Sequence, residues 1–330
     1  MRPQADQAVL IVNPAARRVR KLDAGRIQRY LVRRGLQTEL VVPDSAGAAR
    51  VAARAASDAG VPLVFALGGD GTIRDVAAGL LHSATALAAL PGGTVNIWCR
   101  ETGIPTRIRA AVDAHLGGQD VQVDVGMAGD HAFLLMASAG WDADAAKHVS
   151  ARVKRVVGPG AYPLAFLKRL PRLRRAAATW HSGVATEERQ LSLIVIGNTR
   201  LYGGKVRFAP HATAIDGQLD VAAICPSSFW SGLRIGGRIA IDRIPGDGDV
   251  TSFRTPDLDL VTPGIPVQAD GDYIGETPMR FMVEPKSLIV RVPAGPLAPI
   301  LGGPEPRGRG IIGKWWRRQP FPTAERNGGG

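Results

Sequence analysis

Along the first third of the chain, short apolar runs alternate with stretches whose apolar residues recur every three or four positions. Residues 7–12, QAVLIV, form a β-rich run that stops at Asn13-Pro14, a turn signal. Ile27, Tyr30 and Leu31 then fall at helical spacing ahead of Gly35. QTELVVP (37–43) predicts a second strand, and the alanine-rich 46–60 a second helix that closes on Gly60. PLVFALGG (62–69) is apolar throughout, as a parallel strand covered on both faces should be. Ile73, Val76, Ala77, Leu80 and Leu81 line one face of the helix that follows, and ALAALPGG (86–93) repeats the strand-then-glycine pattern. This alternation predicts an α/β fold with a doubly wound parallel sheet.

From about residue 120 the texture changes. VQVDVGMA, HAFLLMASAG, QLSLIVIGN, QLDVAAI, DLDLVTPG, VQADGD and LIVRVP are short runs divided by Gly, Pro and Asp. Several alternate with period two, which suits antiparallel strands with one wet face. A helical interlude is expected at 142–178. The pattern divides the chain into an α/β unit at 1–122 and a β-rich, sandwich-like unit at 123–295, whose last strand can return to the first. Residues 296–330, rich in Gly, Pro and Arg, are expected to be an extended or disordered tail.

Composition excludes several classes. Hydrophobic residues make up 45% of the 330, which fits a folded globular protein rather than a disordered one. The N-terminus lacks the charged-then-apolar layout of a signal peptide, and no apolar run reaches the roughly 18–20 residues of a spanning helix. Cys99 and Cys225 are the only cysteines and form no CxxC pair, so a disulfide scaffold and a thiolate zinc site are poor readings and a reducing cytoplasm is the better one. The excess of 41 Lys+Arg over 29 Asp+Glu favours anionic partners. Basic clusters lie at 16–21, in 151–175 and in the closing PRGRGIIGKWWRRQPF, where Trp315 and Trp316 adjoin arginines. No recognition-helix or RNP-like signature supports nucleic-acid binding.

The glycine turns carry the candidate chemistry. Gly68, Gly69, Asp70, Gly71 and Thr72 occupy a strand-to-helix turn at the carboxyl edge of the predicted sheet, where such sheets bind ligands. Glycine leaves no Cβ to bar a phosphate from a helix N-terminus. Asp70 would repel a bare phosphate, so it implies a counter-cation, a hydrogen-bonding role or proton handling; a tight turn with an Asx cap is the plainer alternative. Pro91-Gly92-Gly93-Thr94, with Asn96 behind it, forms a second such turn, and the two together can pinch a nucleotide. Asp216-Gly217 and Asp270-Gly271 read, on their own, as β-turns.

VNP, GGDGT, LPGGTVNIWCRETGIP, SAGWDADAAKHV, KRVVGPGAYPLAFL, GNTRLYGGKVRFAPHATAIDGQLDV and VQADGDYIGETPMRF occur in this order. By this set, the sequence resembles the diacylglycerol kinase catalytic-domain family, which includes bacterial lipid kinases and sphingosine kinases, to about residue 295. GGDGT is shared with NAD kinases; the later motifs are the more specific. The resemblance implies an α/β nucleotide domain and a β-rich domain with the active site in the cleft between them, ATP as donor and Mg²⁺ as cofactor. It implies nucleotide contacts from Asn13, Gly68–Thr72 and Thr94. It places a magnesium-associated aspartate at Asp216, joined by oxygens of Thr213 and Gln218, and a catalytic base within the pair Asp270 and Asp272.

The resemblance implies transfer of a γ-phosphoryl group to a hydroxyl of diacylglycerol or a similar lipid. The basic segments and the tryptophans of GKWWRR add the expectation of a cytoplasmic protein held peripherally on the anionic inner face of the membrane. A homodimer is left open. The alternatives are a kinase of a soluble substrate, related to NAD kinase, and a catalytically silent lipid-binding protein. The chain departs from the family at four points. It has Asp270-Gly271-Asp272 where DGE is usual, Pro43 where many relatives have Thr, NPAARR without the Ser-Gly that usually follows NP, leaving Arg17 and Arg18 to meet phosphate or water, and Lys205 for a common Gly.

Overall fold

A computed structural model describes residues 6–16, 18–19, 24–45, 47–148, 176–183, 185–203, 206–240 and 248–304. The first unit runs β1 (Gln7–Val12), α1 (Ala24–Arg33), β2 (Gln37–Val41), α2 (Ala48–Asp58), β3 (Leu63–Gly68), α3 (Asp70–Leu80), β4 (Ala86–Pro91), α4 (Ile97–Glu101) and α5 (Ile108–Leu116). Its strands are parallel in the order β2-β1-β3-β4. Every residue of β3 and β4 is buried, which is why both read as unbroken apolar runs rather than alternating ones. Helix α1 turns Ile27 and Leu31 inward, and α2 packs through the alanines 49, 53 and 56.

The second unit continues with β5 (Gln119–Ala128), β6 (His131–Phe133), β7 (Met136–Gly140), α6 (Trp141–His148), β8 (Ala176–Ser182), β9 (Thr186–Leu191), β10 (Leu193–Gly197), β11 (Leu201–Tyr202) and β12 (Val206–Arg207). It closes with β13 (Leu219–Ile224), α7 (Phe229–Ala240), β14 (Val250–Thr255), β15 (Asp257–Leu260), β16 (Pro266–Ala269), β17 (Asp272–Glu276) and β18 (Met279–Val292). Six strands form an antiparallel sheet in the order β14-β13-β10-β7-β16-β17.

The other sheet has ten strands and crosses both units, because β18 belongs to each. Along one edge β18 pairs β5 for nearly its whole length. On the other edge its first residues pair β15 antiparallel, and Ile289 and Val290 pair β4 in parallel. The strand breaks register between Glu284 and Leu288, where Lys286 takes a positive φ of 50°. The far half of this sheet packs on the six-stranded one to make a sandwich whose core includes Phe133, Trp180 and Phe281, all fully buried.

Two apolar runs divide between the sheets. HAFLLMASAG breaks at Leu134-Leu135 into β6 and β7, and QLSLIVIGN breaks at Ser192 between β9 and β10. Each break is a corner of the sandwich, where the chain leaves one layer for the other. The helical interlude expected at 142–178 is corrected at its ends: the helix occupies Trp141–His148, while 176–178 begin β8. Residues 149–175, including the basic runs and KRVVGPGAYPLAFL, lie outside the described residues, as do Arg17, Lys205 and the Trp315-Trp316 segment. The chain also stays packed past Pro296. Residues Pro299–Leu301 form a 3₁₀ turn with Ile300 and Leu301 buried, and Ile300 O accepts the amide of Ala214 at 2.8 Å.

Phe281 sits where β15, β18 and β5 meet and is fully buried. Phe281→Ala is expected to lower the unfolding free energy by ~3–5 kcal/mol, read from denaturant titration.

Candidate active site

The two glycine turns form one structure. Gly68 and Pro91 end β3 and β4 side by side, and Gly92 N donates to Gly68 O at 2.7 Å. A Cβ on Gly93 would stand 2.6 Å from Gly69 Cα, so backbone packs on backbone and no side chain fits between. Asn13, at the end of β1, donates through Nδ2 to Thr72 Oγ1 at 2.9 Å, and its Oδ1 accepts the amide of Ala15. Asn13 therefore ties the first strand to the start of α3. Thr72 is buried and Thr94 exposed at the rim.

Asp70 has a hydrogen-bonding role. Its Oδ1 accepts the amide of Trp98 at 3.0 Å, at the start of α4, and so clasps the second turn to the first. Burial raises its pKa, and the Trp98 amide works in the opposite direction. The carboxylate is thus turned toward a neighbouring helix. On the open side, Gly69 meets only Gly93 Cα at ordinary contact distance, and the Cβ that Gly71 lacks would stand 3.7 Å from Asp272 Oδ2.

That last distance joins the two units. Asp270 and Gly271 form the two-residue loop between β16 and β17, with φ of 48° and 88°. Two successive positive φ values are the signature of a tight hairpin, so the plain reading of this Asp-Gly as a β-turn holds. The Asp270 carboxylate accepts the amides of Leu134, Leu135 and Met136 at 2.9, 2.9 and 3.0 Å. Burial pushes its pKa up to about 6, held back by Arg74 and by those amides. Asp272 differs: its side chain is 52% exposed, and Arg74 Nη1 lies 3.1 Å from its Oδ2. Arg74 also donates to Ala269 O and pairs with Asp75. Asp270 holds the hairpin in place; Asp272 faces the glycine turn.

Asp216 forms a separate cluster. Its carboxylate accepts Thr213 Oγ1 at 2.6 Å and Gln218 N at 3.1 Å, and it pairs with Arg254. Among the described residues these bonds reach neither the glycine turns nor the Asp270–Asp272 hairpin. The three residues do not fit a divalent ion as they stand: Thr213 turns its proton to the carboxylate, Gln218 offers it an N–H, and a guanidinium balances its charge. No group of three or more His, Cys, Asp or Glu side chains suited to a metal occurs among the described residues.

The model of the diacylglycerol kinase catalytic domain matches residues 7–128, and that of the YegS C-terminal NAD kinase beta sandwich-like domain matches residues 136–292. A Pseudomonas putida protein named "Probable lipid kinase YegS-like" is 34% identical over 250 residues, covering 74% of this chain and 81% of that protein. The chain belongs to the YegS-like lipid kinase family. A protein of the same name from Pseudomonas aeruginosa UCBPP-PA14 is 32% identical over 264 residues, 78% of this chain and 85% of the relative. The structure of a diacylglycerol kinase from Bacillus anthracis superposes with a TM-score of 0.68 at 20% identity, over 88% of this chain and 97% of that one, a likeness of fold.

Within this YegS-like kinase, three features of the site escape a sequence reading. Arg74 lies 198 residues from Asp272, and its helical position reads as solvated surface. Gln268 accepts the amide of Gly271 at 2.6 Å and donates to Ser138 Oγ at 2.6 Å. Ser138 and Tyr202 both donate to Asp142, whose pKa burial raises. This buried chain of bonds runs from α6 to the Asp270–Asp272 hairpin and fixes the amide between the two acids. Its one sequence signal is Asp142 within SAGWDADAAKHV. Arg18 reaches Thr106 O at 3.0 Å.

Gly93→Ala is expected to cost ~1–3 kcal/mol, because the added methyl meets rigid backbone. Gly71→Ala, whose added methyl meets only Asp272 Oδ2 at an ordinary 3.7 Å, should stay within about 1 kcal/mol of wild type. Thermal or denaturant unfolding of the two variants checks both.

Proposed function

We propose that the chain is an ATP-dependent lipid kinase that passes the γ-phosphoryl group to a hydroxyl of diacylglycerol or a similar amphiphile. The observation that carries this reading is Asp272 Oδ2 standing over Gly71 at the start of α3. A helix N-terminus with glycine approaches suits the phosphates, and its dipole favours their charge. A carboxylate on the far side of that phosphate site can take the proton of the attacking hydroxyl as its oxygen bonds to the γ-phosphorus and the bridging Pγ–O bond breaks, releasing ADP. Of the two candidate acids, Asp272 is assigned as the base, since the oxygens of Asp270 are engaged by three amides. Arg74 orients Asp272 through its guanidinium. Mg²⁺ is proposed to accompany the triphosphate rather than to reside at Asp216.

The companion proposal is peripheral attachment to an anionic membrane. Among the described residues no helix is long and apolar enough to cross one. The net charge is +12, and on α7 Trp230 and Leu233 are 74% and 40% exposed. Tryptophan favours the headgroup region, and basic residues add about 1 kcal/mol each near an anionic surface.

Labelled ATP offered with diacylglycerol or sphingosine in anionic vesicles, or with NAD, tests the assignment. Label should pass to a lipid, and Asp272→Asn should reduce kcat by about 10²–10⁴-fold while leaving ATP binding intact. Transfer to NAD alone would establish the soluble-substrate reading, and no transfer to any acceptor the silent one.

A further inference from the structure

The Asp216 turn poses a question that phosphoryl transfer leaves open: what balances its charge. Arg254 stands on β14 directly opposite Asp220 of β13. Its Nη2 donates to Asp216 Oδ2, and its Nε lies 3.4 Å from Asp220 Oδ2. One guanidinium thus spans two carboxylates, one half-exposed and one buried. Arginine keeps its charge at every pH the fold survives, and its planar fork suits this arrangement.

The backbone of the turn is fixed by separate means. Asp124, fully buried on β5, accepts the amide of Gly217 at 2.7 Å with one oxygen and that of Lys286 at 2.7 Å with the other. Ala214 lies between Asp124 N, which donates to its carbonyl at 2.7 Å, and Ile300 O, which accepts its amide. A divalent ion at Asp216 would need several oxygen donors at about 2.0–2.6 Å. It would find a hydroxyl proton, an amide N–H and a fixed positive charge already directed at the same carboxylate.

We infer that Arg254 is the resident counter-cation of the Thr213–Asp220 turn and takes the place of a divalent ion there. The turn then folds without metal, and removing the guanidinium converts it into a cation-responsive site. This stands apart from the transfer reaction, and its test uses no nucleotide or lipid.

Thermal unfolding of the full chain is followed in chelator, and in millimolar Mg²⁺ or Ca²⁺ at matched ionic strength. The wild-type midpoint should be the same in all. Arg254→Gln should unfold several degrees lower in chelator and recover part of the loss with divalent cation. Adding Asp216→Asn should abolish that recovery. Arg254→Lys, which keeps a charge, should remain insensitive to cation, and it carries the test if Arg254→Gln does not fold. A cation-dependent rise in the wild type that Asp216→Asn removes would overturn the inference. So would an Arg254→Gln protein that ignores divalent cations, or an Arg254→Lys protein that responds to them.

Discussion

The guanidinium of Arg74 is the joint on which the candidate site depends. It projects from the helix that follows the glycine turn, and binds both the backbone and the second acid of a hairpin from the other unit. Its side chain is only 16% exposed, so its charge has little water and needs these partners. Burial alone would lower its pKa, yet Asp270, Asp75 and Asp272 together hold it above the ordinary value. The acids and the cation therefore specify one another. An acid aimed at the glycine turn follows from that mutual requirement rather than from either loop alone.

This joint works only if the two units hold a fixed register, which β18 supplies. The strand extends one hydrogen-bonded sheet from the parallel half into the sandwich. It carries no hinge-like linker at the boundary; the units share a layer and Phe281 anchors the far side of it. Asp124 stabilises the bulge in β18 through Lys286 and the Asp216 turn through Gly217, so one buried carboxylate couples the shared strand to that turn. Rigid placement of this kind is what positioning catalysis requires.

The parallel half was legible because its signal is local: fully buried strands read as apolar runs, and glycine turns punctuate them. The sandwich was legible as a texture only. Its strands change sheets at Leu134-Leu135 and Ser192, and nothing in an apolar run marks where the chain turns a corner. The site divides along the same line. Asn13, Thr72 and the glycines lie near each other in sequence or follow a strand end, and the structure brings them together. Asp70 was ambiguous because its partner, the Trp98 amide, is a backbone group of a different turn. Arg74 and Arg254 were missed because their acidic partners lie 198 and 38 residues away, and Gln268 because its buried bond to Ser138 spans 130 residues. Asp216 shows the converse, a motif recognised by likeness whose local chemistry is changed by a residue outside the motif.

A double-mutant cycle on kcat for lipid phosphorylation, with Arg74→Met, Asp272→Asn and their combination, probes the joint itself. If the guanidinium aims the base, the second substitution should cost far less once the first is made, with a coupling in the range of ~0.5–3 kcal/mol. Losses that simply add would mean that the two side chains act independently, and that the meeting of the units does not build the site.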